Sequence, residues 1–98
     1  MEIAVNVNET ALTISPVGRV DTSTAPELQK VVNENISGIT ELTFDLEKLK
    51  YLSSAGLRVL MSAQKIMNKQ GTMKLINVNE DVLDIFDMTG LTDVFDIQ

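Results

Sequence analysis

The chain has 98 residues, enough for one domain but not for two, and 44% of them are hydrophobic while 22% are charged. It has no cysteine and no histidine, which excludes disulfide bonds, thiolate chemistry and the commonest general base and metal ligand. Its formal net charge of −6 argues against a nucleic-acid surface, which needs clustered lysine and arginine. These properties predict one domain over residues 1–98, with no cofactor or metal, whose partner is a protein or a small ligand.

The amino-terminal segment Met1-Glu2-Ile3 lacks the basic region and the long apolar run of a signal peptide. No apolar segment approaches the ~20 residues that are needed to span a bilayer. We therefore expect a cytoplasmic protein with no membrane insertion.

The first half of the chain predicts a β-hairpin followed by a helix. Hydrophobic residues alternate with polar ones over residues 3–14, which is typical of two paired strands. Thr24 and Glu27 have the spacing of a capping box and predict a helix start, with Thr24 as the cap. Gly38 predicts the end of this helix, because glycine adopts left-handed backbone geometry at little steric cost.

The second half predicts alternating strands and helices. Residues 42–46 form a predicted strand with Asp45 near its carboxyl end, and a helix is predicted from Ser54 to Gln70. Another strand follows over residues 73–78. We expect the methionines of the chain to fill gaps in the aliphatic core, because flexible thioethers fit irregular interiors. Those considered are Met61, Met67, Met73 and Met88.

The last elements are a third helix and a short strand or docked tail. Asn79 is the predicted cap of the helix, whose acidic first turn suits the helix dipole, and residues 92–97 alternate as a strand would. Strands separated by helices favour parallel pairing with crossover connections. The predicted fold is α/β, with a mixed and mostly parallel sheet of four to five strands and three or more helices packed against it.

Two adjacent serines stand where a strand-like run ends and the second helix begins. Ser53 is the predicted N-cap, because its hydroxyl can accept a hydrogen bond from an otherwise unpaired backbone N–H. Ser54 would then lie in the first turn with a hydroxyl that the backbone does not need. A free hydroxyl at a helix start is a good phosphate acceptor.

A catalytic role for these serines is not predicted. A nucleophilic serine needs a base, usually histidine, and the chain has none. The serine pair is not a G-x-S-x-G elbow, and no P-loop motif occurs. The protein is therefore predicted not to be an enzyme, with no catalytic residue.

Phosphorylation demands less of the chain, because a kinase brings the base, the metal and the nucleotide. Asp21 and Asp45 are expected near Ser54, since sites form outside the carboxyl ends of strands in sheets of this kind. Both carboxylates could hydrogen-bond the free hydroxyl and repel the phosphate after transfer. Taken alone, each aspartate also fits a simple turn-stabilising role.

Three segments together resemble the STAS domain of bacterial anti-sigma factor antagonists, over essentially the whole chain. They are Gly18-Arg19-Val20-Asp21, Phe44-Asp45-Leu46 and the run from Tyr51 to Leu60. The resemblance implies a mixed sheet covered by helices and a partner-switching function. The unmodified antagonist binds an anti-sigma factor that is also a serine kinase, and so frees the sigma factor. Phosphorylation reverses this binding, and a phosphatase resets it.

The resemblance also implies the roles of individual residues. Ser54 corresponds to the phosphate acceptor, Asp21 and Asp45 to its acidic neighbours, and Gly56 to a small residue that allows close approach. Many family members have aspartate where this chain has Ser53, and alternative alignments of the paired serines leave Ser53 as the minor alternative acceptor. The predicted partner surface is the start of the second helix, which comprises Ser53, Ser54, Ala55, Gly56, Leu57 and Arg58.

Two other functions fit the same resemblance. Small STAS subunits also serve as structural adaptors in lipid-transport ATPase complexes, which a pull-down would reveal by the recovery of an ATPase subunit. Nucleotide binding is a third hypothesis, although the chain lacks a P-loop.

Overall fold

A computed structural model describes all residues of the chain, 1–98. The chain has seven strands and three helices. In order, they are β1 (Ile3–Asn8), β2 (Ala11–Pro16), β3 (Gly18–Val20), α1 (Ala25–Asn35), β4 (Glu41–Asp45), β5 (Leu49–Leu52), α2 (Ser54–Gln70), β6 (Thr72–Ile76), α3 (Glu80–Thr89) and β7 (Asp96–Ile97).

Five strands form one sheet in the order β1-β2-β4-β6-β7. β1 and β2 pair antiparallel as the predicted hairpin, while β2, β4, β6 and β7 pair parallel to one another. The predicted mixed, mostly parallel sheet of an α/β fold is thereby confirmed.

A second, two-stranded parallel sheet of β3 and β5 was not predicted as a sheet. Val20 at the end of β3 pairs with Leu52 at the end of β5, so both strands finish at the same level. These strands have only three and four residues, which is too short for hydrophobic alternation to reveal their pairing. The carboxyl ends of β3 and β5 therefore lie side by side, and α2 begins just after them.

The core lies on one face of the larger sheet. Alternate residues of β2, β4 and β6 are buried while the residues between them remain partly or fully exposed, as expected for a sheet that is covered on one side. The core contains 23 buried apolar residues and no buried polar residue. Helix α2 contributes five of these core residues, namely Leu57, Val59, Leu60, Ala63 and Met67, and its Gly56 is also buried.

The predicted capping box of α1 is wrong. Thr24 precedes the helix but its side chain does not cap it. Instead, the Asp21 Oδ1 accepts a hydrogen bond from the Thr24 N–H at 3.1 Å, and the Asp21 carbonyl accepts one from Ala25 at 2.8 Å. Glu27 forms an ion pair with the Met1 amino group at 3.0 Å. The earlier aspartate therefore holds the first turn.

The prediction for the methionines is confirmed for two and wrong for two. Met67 and Met73 are buried in the core, whereas 40% of Met61 and 86% of Met88 are exposed. Both exposed side chains lie on the outer faces of helices whose opposite faces already fill the core.

The predicted boundaries of α2 and the predicted cap of α3 are confirmed. α2 begins at Ser54 and ends at Gln70, and the Asn79 side chain caps α3 by accepting a hydrogen bond from the Val82 N–H at 2.9 Å. Gly90 ends α3 with a φ of 71°, which is a left-handed conformation that glycine adopts without strain.

Candidate functional site

Ser53 joins the small sheet to α2 in the way a helix cap does. Its Oγ accepts a hydrogen bond from the Gly56 N–H at 3.4 Å, and its own N–H donates to the Val20 carbonyl at 2.8 Å. The residue is extended and half-buried. The predicted N-cap is confirmed, and this backbone bond fixes the start of α2 against the end of β3.

Ser54 lies in the first turn of α2 and differs from Ser53 in both exposure and bonding. Its side chain is exposed, and the hydroxyl hydrogen bond of this helix start belongs to Ser53. First-turn N–H groups have no partner within a helix, so the backbone here favours a negative group. Ser54 therefore presents a free hydroxyl at a position that tolerates an added phosphate.

Gly56 lies where α2 approaches the small sheet most closely. A Cβ at this position would collide with the Leu52 side chain and lie 2.8 Å from Val20 Cγ1. Both neighbours are buried, so neither can move into solvent. The absence of a side chain at Gly56 allows the α2 amino terminus, and with it Ser54, to sit against β3 and β5.

Asp21 organises the turn between β3 and α1. Its Oδ1 accepts hydrogen bonds from the Ser23 hydroxyl at 2.7 Å, the Ser23 N–H at 2.9 Å and the Thr24 N–H at 3.1 Å. The hydrogen bond from the Ser23 hydroxyl, followed by the two backbone bonds, lowers the pKa of Asp21 below its ordinary value of 3.8. Asp21 follows Val20, whose carbonyl accepts the Ser53 N–H, but its carboxylate bonds only to Ser23 and Thr24. Its role as an acidic neighbour of Ser54 stays a prediction.

The lowered pKa of Asp21 gives a testable dependence of stability on pH. A carboxylate that is bonded in the folded state stabilises that state above its unfolded pKa, and the contribution disappears as pH falls through the lower folded pKa. We expect Asp21→Asn to be less stable than the unmodified chain at pH 7, with the difference shrinking below pH 3.8. Urea unfolding at several pH values would measure this, with Asp93→Asn as the control. A difference that is independent of pH would contradict the assignment.

Asp45 has different surroundings. Its Oδ1 accepts hydrogen bonds from the Asn77 side chain at 3.0 Å and from the Glu47 N–H at 3.2 Å. It ends β4 in the large sheet and precedes β5, whereas Ser54 follows β5. No hydrogen bond joins Asp45 to Asp21 or to either serine. Its role as an acidic neighbour of Ser54 stays a prediction.

Two arginines near the serines add positive charge to an otherwise acidic chain. Arg19 on β3 lies over the Tyr51 ring of β5, with its guanidinium carbon 4.4 Å from the ring centre. Arg58 is exposed four residues after Ser54, which places it one turn along the same helix face. Sequence reasoning missed the contact between Arg19 and Tyr51, because it depends on the pairing of β3 with β5.

An open groove of about 420 Å³ begins at Arg58 and follows the exposed side of α2. Met61 and Val94 supply its apolar lining and are 40% and 45% exposed. Lys65 lies further along the same groove. The surface next to Ser54 therefore combines exposed apolar groups with basic ones, a composition suited to a protein partner.

Other kinds of site have little support in the structure. No group of three or more acidic side chains is placed to hold a metal ion. None of the three helices is both long enough and apolar enough to cross a bilayer.

These observations define a class of protein. It is an α/β domain with three helices, a mixed sheet and an exposed serine at the start of its second helix. Residues 2–98 match the family model of the STAS domain, and the chain belongs to the STAS domain family. The resemblance inferred from the serine-containing helix start is thereby confirmed.

Named relatives and solved structures agree with this membership. The chain is 32% identical over 98 residues to the anti-sigma-B factor antagonist of Bacillus subtilis strain 168, covering 99% of this chain and 90% of that protein. A crystal structure of an anti-sigma factor antagonist from Mycobacterium paratuberculosis superimposes with a TM-score of 0.88 and 22% identity, covering 98% of this chain and 83% of the other. The phosphorylated form of the Bacillus cell fate determinant SpoIIAA superimposes with a TM-score of 0.76 and 16% identity, covering 99% and 91%. The two structures share the fold of this chain.

Proposed function

We propose that the protein is an anti-sigma factor antagonist, a regulatory protein rather than an enzyme, which acts in the cytoplasm. Unphosphorylated, it would bind an anti-sigma factor that is also a serine kinase and so release the sigma factor. Family membership and the 32% identity to an anti-sigma-B factor antagonist support this proposal. The identity to a named antagonist favours this function over the adaptor role in a lipid-transport ATPase, whereas STAS membership alone fits both.

The observation that carries the proposal is the division of roles between the two serines. The Ser53 hydroxyl is half-buried and accepts the capping hydrogen bond, whereas the Ser54 hydroxyl is exposed. A kinase needs a hydroxyl that can enter its active site without unfolding the substrate. We therefore assign Ser54 as the phosphate acceptor, with Ser53 as the minor alternative.

The proposed partner surface is the exposed part of the helix start, which comprises Ser53, Ser54, Ala55 and Arg58, continued by the groove along α2. Gly56 and Leu57, which the sequence also placed in this surface, are buried within the domain. Before phosphorylation the surface offers a neutral helix start, exposed apolar side chains and the positive charge of Arg58. A phosphate on Ser54 adds a charge of about −1.5 to −2 at the centre of this surface. Burying that charge without compensation against a partner can cost several kcal/mol, which is enough for a binary switch.

The same phosphate should leave the fold intact. It would lie beside first-turn N–H groups, which favour negative charge, and one turn from Arg58. Asp21 and Asp45, as the proposed acidic neighbours of Ser54, would repel the phosphate and favour its removal by a phosphatase. Phosphorylation would therefore change the choice of partner rather than the stability of the domain.

The test is incubation with the cognate kinase and ATP, followed by mapping of the modified residue. We expect incorporation at Ser54 that Ser54→Ala abolishes. Ser53→Ala is the matched control, and it should still be phosphorylated although it loses the cap and about 1 kcal/mol of stability. Incorporation that Ser54→Ala leaves unchanged would refute the assignment, and incorporation lost only in Ser53→Ala would transfer it to the neighbouring serine.

A further inference from the structure

The free edge of β1 lacks the devices that usually protect an edge strand. β1 is the outer strand of the five-stranded sheet and contains no charged residue and no proline from Ile3 to Asn8. Its pairing with β2 runs without a bulge. By contrast, β7 at the opposite edge has only two residues, one of which is Asp96. Charges, prolines, bulges and short length are the features that prevent edge strands from pairing with other chains.

Apolar side chains on this edge remain uncovered. Val5 is 41% exposed and Val7 is 54% exposed, although their partners on β2, Ile14 and Leu12, are fully buried in the core. Val5 and Val7 therefore lie on the core side of the sheet but project beyond the part that the helices cover. A neighbouring strand that continued the sheet would cover them.

The backbone of β1 determines which residues can pair with such a strand. The Glu2 carbonyl accepts a hydrogen bond from the Val17 N–H, so Glu2 directs its backbone groups toward β2. Backbone groups alternate in direction along an antiparallel strand, so those of Ile3, Val5 and Val7 point to the open edge. The position of Pro16 agrees with this alternation. Pro16 lies opposite Ile3 and has no N–H, so Ile3 does not need to direct its backbone groups toward β2.

We propose that β1 pairs antiparallel with β1 of a second copy of this chain, so that two five-stranded sheets join into one. A two-fold axis perpendicular to the sheet keeps the helices of both copies on the same face. Because the backbone groups at the open edge belong to odd-numbered residues, each of these residues must pair with an odd-numbered residue of the second copy. Centred on Val5, this register sets Val5 opposite its own copy and Ile3 opposite Val7 of the second copy. The three pairs form about six backbone hydrogen bonds, two for each pair.

The centred register is self-complementary in side chains as well as in backbone. The core-side pairs are all aliphatic, and Glu2 faces Asn8 of the second copy, so no like charges oppose each other. A register shifted by one step toward the turn would instead set Ile3 opposite Glu9. The start of α2 takes no part in this contact, so dimer formation is independent of the state of Ser54.

Sedimentation of the complete chain from about 10 μM to about 1 mM tests for the dimer, because weak association falls in this range. We expect the average mass to rise toward twice the monomer mass. Val5→Lys places two positive charges directly opposite each other and should raise the dissociation constant at least about tenfold. Met88→Lys is the matched control, since it makes the same charge change at an exposed apolar residue on α3, and it should associate like the unmodified chain. A monomer at every concentration, or equal association of the Val5→Lys variant, would overturn the proposal.

Cysteine cross-linking tests the register, because the natural chain has no cysteine. Directly opposite residues have Cα atoms about 5.5 Å apart, within the range of a disulfide. Val5→Cys should therefore form a covalent dimer on mild oxidation, and so should a mixture of the Ile3→Cys and Val7→Cys variants. Val7→Cys alone should not, since the two cysteines would be about 13 Å apart along the strands. Cross-linking of Val7→Cys as fast as that of Val5→Cys would contradict the centred register.

The outcome of these tests is separable from that of the proposed function. Phosphorylation of Ser54 and loss of partner binding can be measured in the Val5→Lys variant, whose α2 is unchanged. If Val5→Lys instead lost binding to the anti-sigma factor while the unmodified chain stayed monomeric, the edge would belong to that partner and the dimer would be disproved.

Discussion

Ser54→Asp is expected to weaken binding to the cognate anti-sigma factor about a hundredfold, which corresponds to ~2.8 kcal/mol. Ser54 is exposed at the centre of the proposed partner surface, between the capped helix start and the groove along α2. A carboxylate introduced there must lose water when the partner binds, and an uncompensated charge in the interface weakens binding. Titration calorimetry with the purified anti-sigma factor measures the change.

The Ser54→Asp variant should fold as well as the unmodified chain, because an acidic side chain in the first turn suits the helix dipole. Ser37→Asp makes the same substitution at an exposed position near the opposite end of α2, where the Gln70 side chain donates to the Ile36 carbonyl. This control should bind with unchanged affinity. Unchanged affinity of Ser54→Asp itself, in a folded protein, would count against an electrostatic switch.

The sequence predicted α2 well because two strong local signals bound it. Ser53 supplies a cap at one end and Gly71 stops the helix at the other, and the apolar spacing between them is helical. The exposure of the Ser54 side chain followed from this, since Ser53 already makes the capping hydrogen bond and the Ser54 hydroxyl is not needed by the helix. Local chemistry was sufficient for the central part of the candidate site.

The rest of the site depends on contacts between distant parts of the chain. The pairing of β3 with β5 brings Val20 to Ser53 and Arg19 to Tyr51, and strands of three and four residues carry too little pattern to predict it. Taken alone, Asp21 fitted a turn-stabilising role, and only its predicted placement with Asp45 favoured a functional one. The structure shows that its carboxylate holds the turn before α1, in place of the predicted Thr24 cap. Hydrogen-bond partners of this kind are decided by tertiary geometry, which the sequence pattern does not contain.

Gly56→Ala is expected to destabilise the fold, against the ordinary preference of helices for alanine. A Cβ here would lie 2.8 Å from Val20 Cγ1 and collide with the Leu52 side chain, both of which are buried. Val20 is β-branched and cannot change rotamer freely, so the helix start must move. Overpacking of this kind costs about 1–3 kcal/mol, and the better helix propensity of alanine offsets up to about 1 kcal/mol of it.

Chemical denaturation of paired variants separates these two effects. At the exposed Lys65, in the same helix, Lys65→Ala should be more stable than Lys65→Gly by up to about 1 kcal/mol. At position 56 the order should reverse, with Gly56→Val less stable again than Gly56→Ala. A shifted helix start also moves Ser54 relative to the rest of the proposed partner surface, so Gly56→Ala should slow phosphorylation even where most of the protein remains folded. If Gly56→Ala were as stable as the unmodified chain, the close approach of α2 to the small sheet would not limit the residue at this position.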